Sequence, residues 1–223
     1  NVGAVQFNYG VGPEDVAHLV ESVNADAINL HLNPLQEAIQ PEGDTRFADL
    51  APIIEAVCGH LSVPVLAKEV GSGMSVKTAT KLARLPLAGI ETAGVGGTSW
   101  AKVESFRAPA ESMQAEVGRR LSGFGMSTAE SVINCREAFA SRVVIASGGM
   151  RTGYDAAVAI ALGAAAIALA KPLLEAAHVS EDAAVAALET LIYELRVICF
   201  CTGARTLTDL RSVRVLGPER LHS

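Results

Sequence analysis

Charge is scarce in this chain, and no apolar stretch is long enough to anchor it in a membrane. Only 19% of the 223 residues are charged, against 50% hydrophobic, a balance that excludes disorder and fits a compact globular protein. The longest apolar run, "AAVAIALGAAAIALA" from Ala156, is broken by Gly163 and falls short of the ~20 residues a membrane span requires. Basic residues are in deficit as well: 18 Lys and Arg against 24 Asp and Glu give a formal net charge of -6. That balance argues against a nucleic-acid partner, because non-specific binding rests on an excess of cations. Any anionic ligand must be met locally, by a metal, a few basic side chains or backbone N–H groups.

Cysteine pairing is also missing. Cys58, Cys135, Cys199 and Cys201 show no C-x2-C spacing and no short secreted framework, so a reducing compartment, the cytoplasm, is expected. The opening "NVGAVQFNYG" has neither the basic start nor the cleavage pattern of a secretory signal. Cys199 and Cys201 fall in a helical stretch, where a two-residue spacing sends them to different faces; packing is their expected role. No low-complexity segment or linker divides the sequence, so residues 1–223 read as one domain.

What is present is an alternation. Apolar, β-rich runs at "VGAVQF" (from Val2), "AINLHL" (from Ala27), "PVLAKE" (from Pro64), "AGIETAG" (from Ala88), "RVVIASG" (from Arg142) and "AAIALAK" (from Ala165) predict strands. Between and after them, "GPEDVAHLVESV", "FADLAPIIEAVCGHL", "SVKTATKLARL", "TAESVINCREAF", "TGYDAAVAIALG" and "EDAAVAALETLIYELRVICFCTGA" predict helices. Continuous apolar strands separated by helices imply a parallel sheet covered by helices.

The polar residues gather at one end of those strands. "HLNPLQE", "KEVGSGMS", "TAGVGGTSW", "SGGMRTG" and "LAKP" each follow a strand. Five successive polar, glycine-rich endings favour a TIM (β/α)8 barrel, whose strand-end loops share one mouth, over an open doubly wound sheet, which concentrates them at one crevice. Two endings suit a phosphate: Gly148 and Gly149 of "SGGMRTG" leave backbone N–H groups unobstructed at a helix start, Arg151 adds a charged fork, and the "LAKP" loop completes the cradle. The opposing reading of such glycines is a tight turn. Lys68 ends "VPVLAKE", where an inward ammonium requires a partner or an anionic ligand. Beside a flavin's N1 and C2 carbonyl it would stabilise the negative charge of the reduced ring. Its neighbour Glu69 faces the other way along the strand and offers no pair. In "HLNPLQEAIQPEGDTRF", His31, Asn33, Gln36 and Glu37 crowd a loop that needs only turn residues.

These segments carry a resemblance. "ADAINLHLNPLQEAIQPEGDTRF", "VPVLAKEVGSGMS", "TAGVGGTSWAKVE" and "VVIASGGMRTGYDAAVAIALGA", in that order, resemble the type 2, FMN-dependent isopentenyl diphosphate isomerases from Asn1 to about Gly203. The resemblance implies a TIM barrel, reduced FMN, Mg2+, NADPH as reductant, and a homo-oligomer, tetramer or octamer, acting on a small diphosphate. It implies flavin contacts from Asn1, Lys68, Thr98, Gly148, Gly149, Arg151, Ala170 and Lys171, the last standing where an arginine is common. It places His31 and Asn33 at the diphosphate and metal end, Gln36 over the reacting carbons and Glu37 on Mg2+, with Gln36, His31 and Lys68 in catalysis. Family chains are longer, with a basic segment and two further strands ahead of the part matched here. Two other readings are a flavin barrel of the 2-hydroxy acid oxidase type and a non-catalytic flavin- or phosphate-binding module.

Overall fold

The computed structural model describes residues 1–216. Its described residues form one all-parallel sheet of six strands: β1 (Val2–Gly3), β2 (Ile28–Leu32), β3 (Val65–Glu69), β4 (Gly89–Glu91), β5 (Val143–Ala146) and β6 (Ala166–Ile167). The strands stand side by side in the order in which they occur along the chain. A doubly wound sheet must reverse that order at its switch point, whereas a barrel adds strands in sequence. The sheet is accordingly the wall of a TIM barrel, carrying six of its eight strands.

Helices fill the crossovers: α1 (Pro13–Ser22), α2 (Pro34–Ile39), α3 (Leu50–His60), α4 (Val76–Leu82), α5 (Trp100–Arg107), α6 (Met113–Arg120), α7 (Thr128–Phe139) and α8 (Gly153–Ala161). After β6 come α9 (Lys171–Val179), α10 (Glu181–Thr202) and α11 (Leu207–Leu210). The helix starts are written locally. Pro13 sits in the first turn of α1, and Ser127 with Glu130 and Thr152 with Asp155 form capping boxes at α7 and α8. No helix among the described residues is long and apolar enough to cross a membrane.

One face of the sheet makes the core. Ile28, Leu30, Val65, Ala67, Ile90 and Val144 alternate along their strands and pack on Val16, Val20, Ile54, Val57, Leu82, Cys135 and Phe139 of the helices. Each large side chain so buried contributes roughly 1.5–3 kcal/mol. Burial pushes the Cys135 thiol up to about 12, in keeping with a packing role.

Three expected strands or loops differ. "VGAVQF" continues its strand only to Gly3; Ala4–Tyr9 is a 3-10 helix that ends at Gly10 with φ 105. Its three-residue turn stacks Ala4 above Phe7, and both are buried, which a strand's alternation would not allow. "AAIALAK" pairs only over Ala166–Ile167, at the edge of the sheet. The segment after β2 is not a loop: Pro34 opens a one-and-a-half-turn helix through Ile39.

Candidate active site at the strand ends

Residues on the opposite face of the strands point away from the helices, and the register lines them up in rows. Gly3, His31, Lys68, Glu91, Ile145 and Ala166 are successive Cα partners across β1 to β6. One row therefore carries an imidazole, an ammonium and a carboxylate on three adjacent strands. Gly3 makes room for the imidazole, since a Cβ there would lie 3.1 Å from His31 Nε2. Burial, then the N-terminal ammonium and Lys68, hold the His31 pKa below its ordinary value against the pull of Glu37, which favours the neutral ring. Lys68 Nζ donates to Glu91 Oε1 at 2.9 Å and to the Glu69 carbonyl at 3.2 Å. The partner that an inward lysine requires is thus on the next strand.

The α2 helix converts sequence neighbours into spatial ones. Asn33, Gln36 and Glu37 stand at i, i+3 and i+4 and share a face. Asn33 Nδ2 donates to Glu37 Oε1 at 2.7 Å and to Gln36 Oε1 at 3.3 Å, while Gln36 Nε2 donates to Glu104 Oε1 at 3.0 Å. Glu104, on α5, is 2% exposed and its charge is met by Arg107, which also reaches Glu42. Glu37 is not a solvated surface carboxylate. It is buried, and its second oxygen accepts the Asp44 N–H at 2.7 Å. The Asn33 Oδ1, with the Asn29 Oδ1 one row below His31, is a buried acceptor with no partner among the described residues.

Two loops beside this cluster are built on glycine. After β3, one Glu69 oxygen accepts the successive N–H groups of Val70, Gly71, Ser72 and Gly73. Burial pushes the Glu69 carboxyl up, against the pull of those four donors. This nest holds the chain's own carboxylate and has no place for a phosphate. Thr98 is exposed on the neighbouring loop, and a Cβ on Gly71 would sit 2.9 Å from its carbonyl oxygen.

The loops after β4 and β5 are zipped together. Ala93 N–H donates to Ser147 Oγ, Gly94 N–H to the Ser147 carbonyl, Thr128 Oγ1 to the Gly148 carbonyl, and Arg151 to the carbonyls of Gly149 and Gly96. The N–H groups of Gly148, Gly149 and Met150 find no hydrogen-bond acceptor among the described residues. A Cβ on Gly97 would lie 2.7 Å from Gly149 N, so only glycine lets the two loops approach this closely. These donors could receive an anion, though not as the start of α8. The N–H groups of Arg151 and Thr152 are capped by Asp155, and that of Gly153 by Glu194 of α10. Ala170 precedes α9, and the exposed Lys171 leans along that helix to Glu175 at 3.5 Å. Asn1 is exposed ahead of β1.

The structure thus brings His31, Asn33, Gln36, Glu37 and Lys68 together, and gathers Gly148, Gly149 and Arg151 in a second group. Glu91, Glu104 and Arg107 were missed from the sequence. Glu91 was readable, as a carboxylate inside an apolar strand next to one that ends in lysine; Glu104 lies on a helix that the periodicity did not reveal. At the opposite end of the sheet a cavity of about 230 Å³ is lined by Arg136, Arg142 and Arg211. Arg142 is spent there on the carbonyls of Ala83, Leu85 and Leu87 and stacks on Phe139, and Arg136 binds the Ala140 carbonyl.

The in-order parallel sheet with its polar residues gathered at the strand ends places the chain among the (β/α)8-barrel proteins as a class. Within that class the chain belongs to the FMN-dependent dehydrogenase family, whose profile matches residues 18–216. It is 47% identical to the isopentenyl-diphosphate delta-isomerase of a Synechococcus strain over 98% of this chain and 62% of that one. The enzyme of the same name from Rickettsia bellii is 45% identical over 96% of this chain and 63% of its own length. The chain thus spans about six tenths of these relatives. Among solved structures, a mandelate oxidase shares the fold with a TM-score of 0.63 at 20% identity, covering 97% of this chain and 67% of that one. A mandelate oxidase variant holding an FMN monooxide adduct has a TM-score of 0.62 at 21% identity, over 91% of this chain and 59% of its own.

Proposed function

We propose that the protein binds FMN and converts isopentenyl diphosphate to dimethylallyl diphosphate, a step of isoprenoid biosynthesis, using the flavin in its reduced form with Mg2+ and NADPH as reductant. The observation that carries this reading is the α2 cluster. A neutral imidazole, two carboxamides and a buried carboxylate gather at the end of β2, at the same end of the sheet as the β5-loop glycines, in a chain 47% identical to a named isomerase. Open donors at Gly148 and Gly149 fit the flavin phosphate, with Arg151 clamping the two loops around it. Asn1, Thr98, Ala170 and Lys171 are assigned to the same cofactor. Lys68 would lie at the pyrimidine edge of its ring. Bound there, reduced FMN supplies ring nitrogens that exchange protons near neutral pH, which an unactivated alkene requires.

The chain's own residues bind and orient. His31, neutral, and Asn33, whose amide N–H groups hold Gln36 and Glu37 in place, stand at the diphosphate and metal end. Gln36 is held in one amide orientation by Glu104 and Asn33, and so presents a fixed polar edge to the carbons that exchange protons. Glu37 has lone pairs to spare beyond its two hydrogen bonds. No cluster of three His, Cys, Asp or Glu side chains among the described residues holds a metal alone. That suits Mg2+, which commonly takes one or two carboxylates and completes its shell with water and substrate phosphate. A homo-oligomer in the cytoplasm completes the reading.

The experiment is turnover. Full-length protein loaded with FMN and reduced by NADPH should convert isopentenyl diphosphate in the presence of Mg2+, followed by proton NMR of the methyl signals. FMN-loaded, reduced protein without turnover would overturn the isomerase reading. The mandelate oxidase neighbours favour one alternative, oxidation of a 2-hydroxy acid; flavin reduction by mandelate or lactate, with no isomerisation, would establish it.

A further inference from the structure

We propose that Glu91 is the counter-charge of Lys68 and thereby poises the reduction potential of the flavin, an inference that rests on the FMN reading above. Lys68 and Glu91 are Cα partners on β3 and β4, and their ion pair at 2.9 Å is largely withdrawn from water, the side chains being 22% and 10% exposed. An ammonium has three donors. One goes to Glu91 and one to the Glu69 carbonyl, so a single N–H is left for a ligand. That N–H belongs to a pair whose net charge is near zero. A ligand at the mouth feels a directed donor with a muted positive field, because in a poorly solvated site a carboxylate this close cancels much of the ammonium's potential.

The consequence is specific to a ligand that changes charge. Reduction puts negative charge on the pyrimidine end of a flavin, and a bare lysine stabilises that state strongly; a paired one does so weakly. Glu91 therefore keeps the bound flavin more reducing than Lys68 alone would make it, and holds the Nζ in place within the row it shares with His31. It is a positioning residue that acts through Lys68.

The test uses full-length, FMN-loaded protein and dye-equilibrated reduction. Glu91→Gln keeps an oxygen acceptor for Lys68 but removes the charge. It should tighten binding of reduced over oxidised FMN by about tenfold, raising the two-electron midpoint potential by about 30 mV. In a Lys68→Met background the same change should have little effect, because the two residues form one coupled pair. An unchanged potential in Glu91→Gln with flavin retained overturns the proposal, as does an equal upward shift when Lys68 is absent, which would make Glu91 act directly. If Glu91→Gln fails to fold, Glu91→Asp decides: retracting the carboxylate by one methylene should raise the potential by a smaller amount, and no rise overturns the proposal. Wild-type protein that takes up no FMN overturns the flavin reading itself, and is distinguished before any variant is made.

Discussion

Replacing Gly149 by alanine tests the cradle at its tightest point. Gly149 has φ +76, and a Cβ there would stand 2.2 Å from the Gly96 carbonyl oxygen and 2.3 Å from its carbon. Both atoms are backbone, so no rotamer change can relieve the overlap. The left-handed conformation alone costs an L-residue roughly 1–2 kcal/mol. Forcing the two zipped loops apart adds roughly 1–3 kcal/mol, the usual range for overpacking, for a total of about 2–5 kcal/mol. Gly10 supplies the control: its φ is also positive, at +105, but nothing lies within 4 Å of a Cβ. Gly10→Ala should show only the conformational cost. Urea denaturation of both variants in full-length protein measures the difference, and titration with FMN measures the site. Gly149→Ala should be the less stable by about 1–3 kcal/mol and should bind FMN at least tenfold more weakly, whereas Gly10→Ala should bind it normally. Equal stability of the two variants, with wild-type FMN affinity in Gly149→Ala, would refute the close packing of the β4 and β5 loops and the cradle built on it.

Three further outcomes are expected. Arg151→Ala removes the clamp between the Gly149 and Gly96 carbonyls and should lower FMN retention on gel filtration; undiminished retention would take Arg151 out of the site. Glu37→Gln should retain FMN but raise the Mg2+ concentration for half-maximal turnover, at a stability cost of about 1–2 kcal/mol from its disturbed hydrogen bonds; wild-type Mg2+ dependence would remove Glu37 from the metal. His31 has a folded-state pKa below its ordinary 6.5, so the unfolded chain binds the proton more readily. Its contribution to stability is present above pH 6.5 and is lost as pH falls through the lowered folded value. Thermal melts from pH 7.5 to 5 should decline less in His31→Asn than in wild type, and parallel curves would refute the assignment.

The sheet was legible because each strand is rich in apolar and β-branched residues and several crossover helices carry their own start signals. The helices that went unread are short or mostly polar. The α5 segment buries only Ala101, Glu104 and Ser105, so its buried face is not apolar and leaves no hydrophobic period to read. The α2 segment looked like a loop because Pro34 and two carboxamides are turn residues as well as helix starters. Site residues that sit beside a motif were visible. Those that neutralise them from another element, Glu91, Glu104 and Arg107, depend on register and crossing geometry, which periodicity does not carry.

That distinction bears on what the site is complementary to. Most of its charge is already answered within the chain: Glu69 by four N–H groups, Lys68 by Glu91, Glu104 by Arg107, and Glu37 by Asn33 and the Asp44 amide. Left without a partner among the described residues are the N–H groups of Gly148, Gly149 and Met150, the third hydrogen of Lys68, the His31 ring and the oxygens of Asn29 and Asn33. The glycine donors and Lys68 want acceptors, at two separate places on the strand ends, and the asparagines want donors between β2 and the start of α2. A simple phosphate would answer only the first group. A ligand with a phosphate at one end and a flat ring bearing acceptors at the other would answer the glycine donors and Lys68 together. The pre-paired charges also explain why a chain of net charge -6 can receive such an anion: its carboxylates near the site are spent before the ligand arrives, and directed N–H groups, whose strength does not depend on the protein's overall charge, remain to meet it.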